Sequence, residues 1–201
     1  MNPKEMDKLT EHYNRYFGQN DCTVLHVAEM EPHIDALLYP PEGKYPFWKL
    51  VSMGASDHRM NAPKGSPGDR NEYMMFIAAD EDMNDGEIAG YYFNRLIEVA
   101  MYPINAGCFI TFGHSIEWKP YEGEEMVGAF LELPQIIEDV GILNCRLSLT
   151  KTAVCLQVVL LNRADMDKLL AIGPQSFDMW LYPDEGTDCH YLCERKRSGK
   201  F

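Results

Sequence analysis

A chain of 201 residues, 46% hydrophobic and 24% charged, has the size and composition of one globular domain with a substantial core. Its 31 acidic residues against 18 basic ones leave a formal charge of −13, which argues against direct nucleic-acid binding and favours encounter with a cationic protein. The first residues mix charges of both signs where an export signal needs a cationic start, and no apolar run approaches the roughly 20 residues of a membrane-crossing helix. A soluble, cytoplasmic protein is expected.

Met6, Leu9, Tyr13, Tyr16 and Phe17 form a helical stripe before Gly18, which predicts a helix over 5–17. The apolar runs 23–27, 33–39 and 47–53 read as strands, punctuated by Pro32, Pro40-Pro41-Glu42-Gly43 and Gly54. Residues 54–70 are polar and rich in Gly and Pro, so a long mobile loop is expected there. A buried strand follows over 72–79. Ile88, Tyr91, Tyr92, Leu96, Val99 and Ala100 mark a helix over 87–102 that Pro103 should end. Strands are expected at 108–111, 115–118, 127–133, 142–149 and 154–161. Asn162-Arg163-Ala164-Asp165 opens a helix that Gly173-Pro174 closes, and 175–181 makes another helical turn. The domain is taken as 1–186 with a C-terminal tail over 187–201; little order is demanded after Asp184-Glu185-Gly186, and the closing 194–200 reads as solvated. Because strands come in consecutive runs, the fold class is α+β: a mixed, largely antiparallel sheet flanked by helices.

Several groupings invite a chemical reading. Alternation places Glu31, His33 and Asp35 on one face, where they could ligate a divalent metal; with His58 or His114 they would make a metal-dependent hydrolase. A structural His–carboxylate pair is the stronger reading, since nothing else in the sequence fixes further ligands. Ser56, Asp57 and His58 bring hydroxyl, carboxylate and imidazole together. However, a nucleophile elbow needs Gly-x-Ser-x-Gly between strand and helix, so Ser56 and Asp57 read as turn formers. No glycine pattern cradles a phosphate, and no cofactor is expected. Six scattered cysteines suit reduced thiols, and Cys189, His190 and Cys193 lack the second pair that a structural zinc site wants. Trp48, Trp118 and Trp180 read as packing residues, although Trp118, between Glu117 and Lys119, could anchor a partner at a rim.

A series of segments resembles the suppressor-of-fused family. These are His33-Ile34-Asp35, then Pro40-Pro41, then the stretch from Phe47-Trp48 to Gly54-Ala55-Ser56-Asp57, and Arg70-Asn71-Glu72-Tyr73-Met74-Met75-Phe76. The segment from Phe109 to Trp118 and Cys155-Leu156-Gln157-Val158-Val159, followed by a helix through Asp165 and Leu170, continue the series. The resemblance runs over about residues 30–182. It departs at Ala55, where the family often has Met, and in a longer insertion over 61–69. The animal members bind a zinc-finger transcription factor through an added peptide strand, using two lobes, of which this chain resembles the amino-terminal one. Small bacterial members resemble immunity proteins that neutralise a cognate toxin. The resemblance implies a non-enzymatic protein-binding module whose partner is a basic toxin or regulator, or an extended peptide. The candidate binding residues are His33, Asp35, Trp48, Ser56, Asp57, His58, Arg70, Glu72 and Trp118, on a surface expected to include the 54–70 loop and the neighbouring acidic turns.

Overall fold

The computed structural model describes residues 1–18, 22–27, 31–66, 68–182 and 190–196. Its twelve main elements in chain order are α1 (Pro3–Phe17), β1 (Thr23–Leu25), β2 (Asp35–Tyr39), β3 (Trp48–Met53), β4 (Asn71–Ile77), α2 (Gly86–Ala106), β5 (Ser115–Glu117), β6 (Met126–Glu132), β7 (Asn144–Arg146), β8 (Thr152–Asn162), α3 (Arg163–Ile172) and α4 (Pro174–Leu181). Strands β4 and β6 are buried at every position. Such a run needs cover on both faces of its sheet.

That cover follows from alternation. Ala36, Leu38, Leu50, Tyr73, Met75, Leu156 and Val158 face α2, whose Tyr92, Leu96, Val99 and Ala100 complete the largest core cluster. Their neighbours Leu37, Tyr39, Val51, Met74 and Cys155 face the other way, onto Leu9, Tyr13 and Phe17 of α1. Further along that second face, Phe130, Val159 and Leu161 meet Phe177 and Leu181. The eight-stranded sheet runs β1-β2-β3-β4-β8-β6-β5, with β7 also on β8. Every pairing is antiparallel except β4 with β8. The α+β class with a mixed, largely antiparallel sheet is thus observed.

Four local expectations are corrected. Pro103 does not end α2: the helix continues to Ala106, and the Pro103 carbonyl accepts the N–H groups of Gly107 and Cys108 as the closing bonds. A proline forfeits one helical donor but keeps its acceptor. Residues 108–111 form no strand, because pairing with β6 begins only at Gly113, whose N–H reaches Leu131 O at 2.7 Å. The stretch 142–149 divides into a 3-10 turn, Val140–Leu143, and the short β7. Residues 54–70 hold a 3-10 turn, Ala55–Asp57, and are tied back where Met60 N–H meets Asp69 O at 2.8 Å.

The described part of the expected tail is not simply solvated. Cys193 is fully buried and pairs in parallel with Ile77. Its N–H donates to Phe76 O at 2.7 Å, and Ala78 N–H donates to Cys193 O at 3.1 Å. Arg195 pairs with Glu81 at 3.0 Å. Met30, Pro67, the Asp184-Glu185-Gly186 turn, Cys189 and the tail beyond 196 lie outside the described residues. Among the described residues, no helix is long and apolar enough to cross a membrane.

Candidate functional site

The residues that the sequence singles out divide between the middle of the sheet and its margins. In the middle, β3 and β4 carry a buried carboxylate. Glu72 is fully buried, and its Oε1 accepts the N–H groups of Gly54 at 3.1 Å and Ser56 at 2.9 Å. Its Oε2 accepts the Ser52 hydroxyl at 2.5 Å, and the Ser52 oxygen in turn accepts Tyr73 N–H at 2.8 Å. Burial pushes the Glu72 carboxyl up, and the donors from Ser52, Ser56 and Gly54 only partly counter it.

The Gly54-Ala55-Ser56 turn exists to reach this carboxylate. Gly54 has φ +124°, and a Cβ there would stand 2.8 Å from the His33 carbonyl oxygen, so both backbone conformation and space require glycine. Arg70 then donates to Ser56 O at 2.8 Å and Asp57 O at 2.7 Å, closing the turn from outside. Lys151 bridges Asp57 at 2.6 Å and Glu5 at 3.0 Å. Burial works against the Asp57 charge, but the Lys151 ammonium helps hold its carboxyl below the usual range.

Ser56 and Glu72 therefore offer a partner no surface, contrary to their place in the expected binding set: the fold consumes them. Asp57 remains exposed, and His58 and Arg70 are half-buried. The expected trio is also rearranged. His33 and Asp35 converge, but with His26, while Glu31 is exposed and outside the cluster. His114 sits beside β5, at the opposite margin from β2, with its Nδ1 3.1 Å from Thr111 O. The hydrolase set of Glu31, His33 and Asp35 with His58 or His114 is thus not assembled among the described residues. Trp48 opens β3 opposite Ile77, at the far end of that strand from Ser52, and packs into the α2 core.

At the β5 margin, Trp118 follows the strand and donates from Nε1 to Met126 O at 3.0 Å. Beside it lies a cleft of about 320 Å³ between α2 and the β5–β6 segment, lined by Val99, Tyr102, Ile116, Trp118 and Tyr121 with Glu98 and Glu117 at its sides. Tyr121 is 69% exposed and Tyr102 is 40% exposed. Below them, the buried Arg95 guanidinium lies 5.1 Å from the Trp118 ring and 4.9 Å from the Tyr121 ring. It pairs with Glu124 at 2.6 Å and with Glu98. Burial opposes the Arg95 charge, and these two carboxylates outweigh it. The result is an aromatic platform over a neutralised Arg95, with the exposed Lys119 also lining the cleft and Glu117 paired with Arg163 at 2.7 Å.

Sequence reasoning missed Arg95, Tyr102, Tyr121 and His26. Arg95 had a usable signal: it stands beside Leu96 and one turn before Val99, inside the apolar stripe of α2, where a cation needs partners. Glu132 was missed as well. It is buried at the end of β6, accepts Leu133 N–H at 2.7 Å and faces Asp178, and burial raises its carboxyl to about 7.

The family model described as Suppressor of fused protein (SUFU) matches residues 30–190. A search of curated protein sequences finds no match. Similar solved structures include a chain of the Sufu–Fu complex, with 15% identity, TM-score 0.70, and 98% of this chain and 93% of that chain covered. A SUFU homolog from Neisseria gonorrhoeae has 11% identity and TM-score 0.69, with 98% and 97% covered. Drosophila Suppressor of Fused has 16% identity and TM-score 0.68 over 98% of this chain and 53% of its own. At these identities the structural likeness establishes the fold alone.

Proposed function

The chain belongs to the suppressor-of-fused family, and from that premise we propose that it acts without catalysis, as a cytoplasmic module that binds a protein partner. The observation that carries this reading is the cleft at Trp118. Its exposed Tyr102 and Tyr121 stand among Glu98 and Glu117, with Glu122 exposed nearby and Lys119 the one exposed cation of the lining. Aromatic rings rimmed by carboxylates suit the lysine and arginine side chains of a basic surface. The net charge of −13 adds long-range attraction for the same kind of partner. A basic toxin neutralised by this chain, as an immunity protein would do, fits both features. That a chain of a Sufu–Fu complex shares this fold supports protein binding as the general role.

A second reading has its own observation. β5 ends the sheet, pairs only with β6 among the described residues, and exposes Ser115 and Glu117. An extended peptide could add there as a strand beside the same cleft.

Affinity capture from native lysate, compared between wild type and Tyr121→Ala, tests the proposal. A basic protein retained at low salt, released as salt rises and lost from the variant is the expected result. Equal capture by both proteins would move the surface elsewhere, and capture of nothing alongside turnover of a small molecule would end the binding-module reading.

A further inference from the structure

β1 and β2 pair with Leu25 opposite Ala36. Continuing that antiparallel register by one residue sets His26 opposite Asp35. His33, two residues before Asp35, points to the same side because successive side chains alternate. Pairing and pleat together therefore gather two imidazoles and one carboxylate at the sheet margin. His26 Nδ1 lies 2.7 Å and His33 Nε2 lies 3.1 Å from the same oxygen, Asp35 Oδ1. The two ring centroids are 4.7 Å apart, and the candidate donor atoms all lie within 4.8 Å of one another.

We propose that His26, His33 and Asp35 form a binding site for one divalent transition-metal ion of the zinc or nickel class. Two nitrogens from separate segments contact one carboxylate oxygen directly, and the donor atoms are close enough together for a single ion to take the place of those contacts. The donor set of two imidazoles and one carboxylate suits borderline ions, whereas calcium and magnesium favour all-oxygen cages. Three protein donors leave a further position for water or for a side chain of a partner.

Support for the donors comes from the fold. Ile34, between His33 and Asp35, is 1% exposed and anchored in the core. Met53 pairs with Asp35, and Gly54 lies flat against the His33 carbonyl, so the backbone bearing two of the three donors is fixed by β3. Asp35 is nearly buried, while the imidazoles of His26 and His33 are 50% and 43% exposed, which leaves an approach from solvent. A bound ion would fasten the margin strand β1 to β2. This site lies at the opposite margin from the Trp118 cleft and stands independently of the proposed partner binding.

Chelator-treated protein titrated with zinc chloride by calorimetry, and with cobalt chloride by visible absorption, tests the site. The expected result is one ion per chain, with His26→Gln and His33→Gln each weakening zinc binding by at least about tenfold. Both exposed variants should unfold at the wild-type temperature when metal is withheld, and the rise in midpoint that zinc gives the wild type should vanish. Wild-type protein that takes up no zinc at micromolar concentrations overturns the proposal. So does undiminished uptake by both variants, which would assign the ion to thiols elsewhere.

Discussion

The Glu72 hub and the Trp118 cleft are both built around a buried charge, and they use it in opposite ways. At Glu72 the charge faces inward: hydroxyl and backbone donors from one turn converge on it, and the turn becomes part of the core. At Arg95 the charge is cancelled by Glu98 and Glu124 and serves as a floor, on which exposed aromatic rings are held at a fixed height. The residues of a recurring sequence motif hold the chain together at the first. The proposed partner surface is assembled at the second around Trp118 from Arg95, Tyr102 and Tyr121, which belong to no such segment.

Substitutions can break this contrast. Glu72→Ala strands the N–H groups of Gly54 and Ser56 and the Ser52 hydroxyl in the interior, and should cost about 4 kcal/mol in urea unfolding. An unchanged midpoint would mean that the turn finds other acceptors. Gly54→Ala imposes a Cβ on the His33 carbonyl at a strained φ and should cost about 3 kcal/mol by the same measurement.

Glu132 sharpens the comparison, being a buried carboxylate without the hub's set of donors. Its folded value of about 7 lies above the ordinary 4.5, so the fold favours the protonated form. The stability it contributes is complete below about pH 4.5 and is lost as pH rises through about 7, a swing of roughly 2–3 kcal/mol. Glu132→Gln should therefore stabilise the protein by about 2 kcal/mol near pH 8 and hardly at all near pH 4. Equal effects at both values would show that Asp178 carries the proton instead. The smallest stability effect is expected from Tyr121→Ala, within about 0.5 kcal/mol, since its ring is mostly exposed. Circular dichroism melting checks this, so that loss of partner capture by the same variant reads as loss of contact.

The sequence made the architecture legible wherever periodicity was strong. The stripe of α1, the runs of β2, β3 and β8, and the Asn162–Asp165 capping box all stand as expected. It failed where tertiary partners decide the outcome. Residues 108–111 are apolar enough for a strand but have no neighbour to pair with. Residues near Cys193 look like tail yet fill a place beside β4. For the candidate sites, composition drew attention to His33, Asp35 and Trp118 but could not supply their companions. His26 joins only through strand register, and Tyr121 only because a hairpin folds over α2.

The one parallel pairing between strands among the described residues, β4 with β8, also sets a schedule. β4 leaves the ribosome with β2 and β3 already available on one side, but β8, its other neighbour, begins about 75 residues later. At roughly 5–20 residues per second, the edge of Asn71, Glu72, Tyr73 and Met74 that β8 pairs waits on the order of 4–15 s for its cover. During synthesis the centre of the finished molecule is thus its stickiest margin, and the nascent chain depends on whatever shields that edge until Thr152–Asn162 arrives.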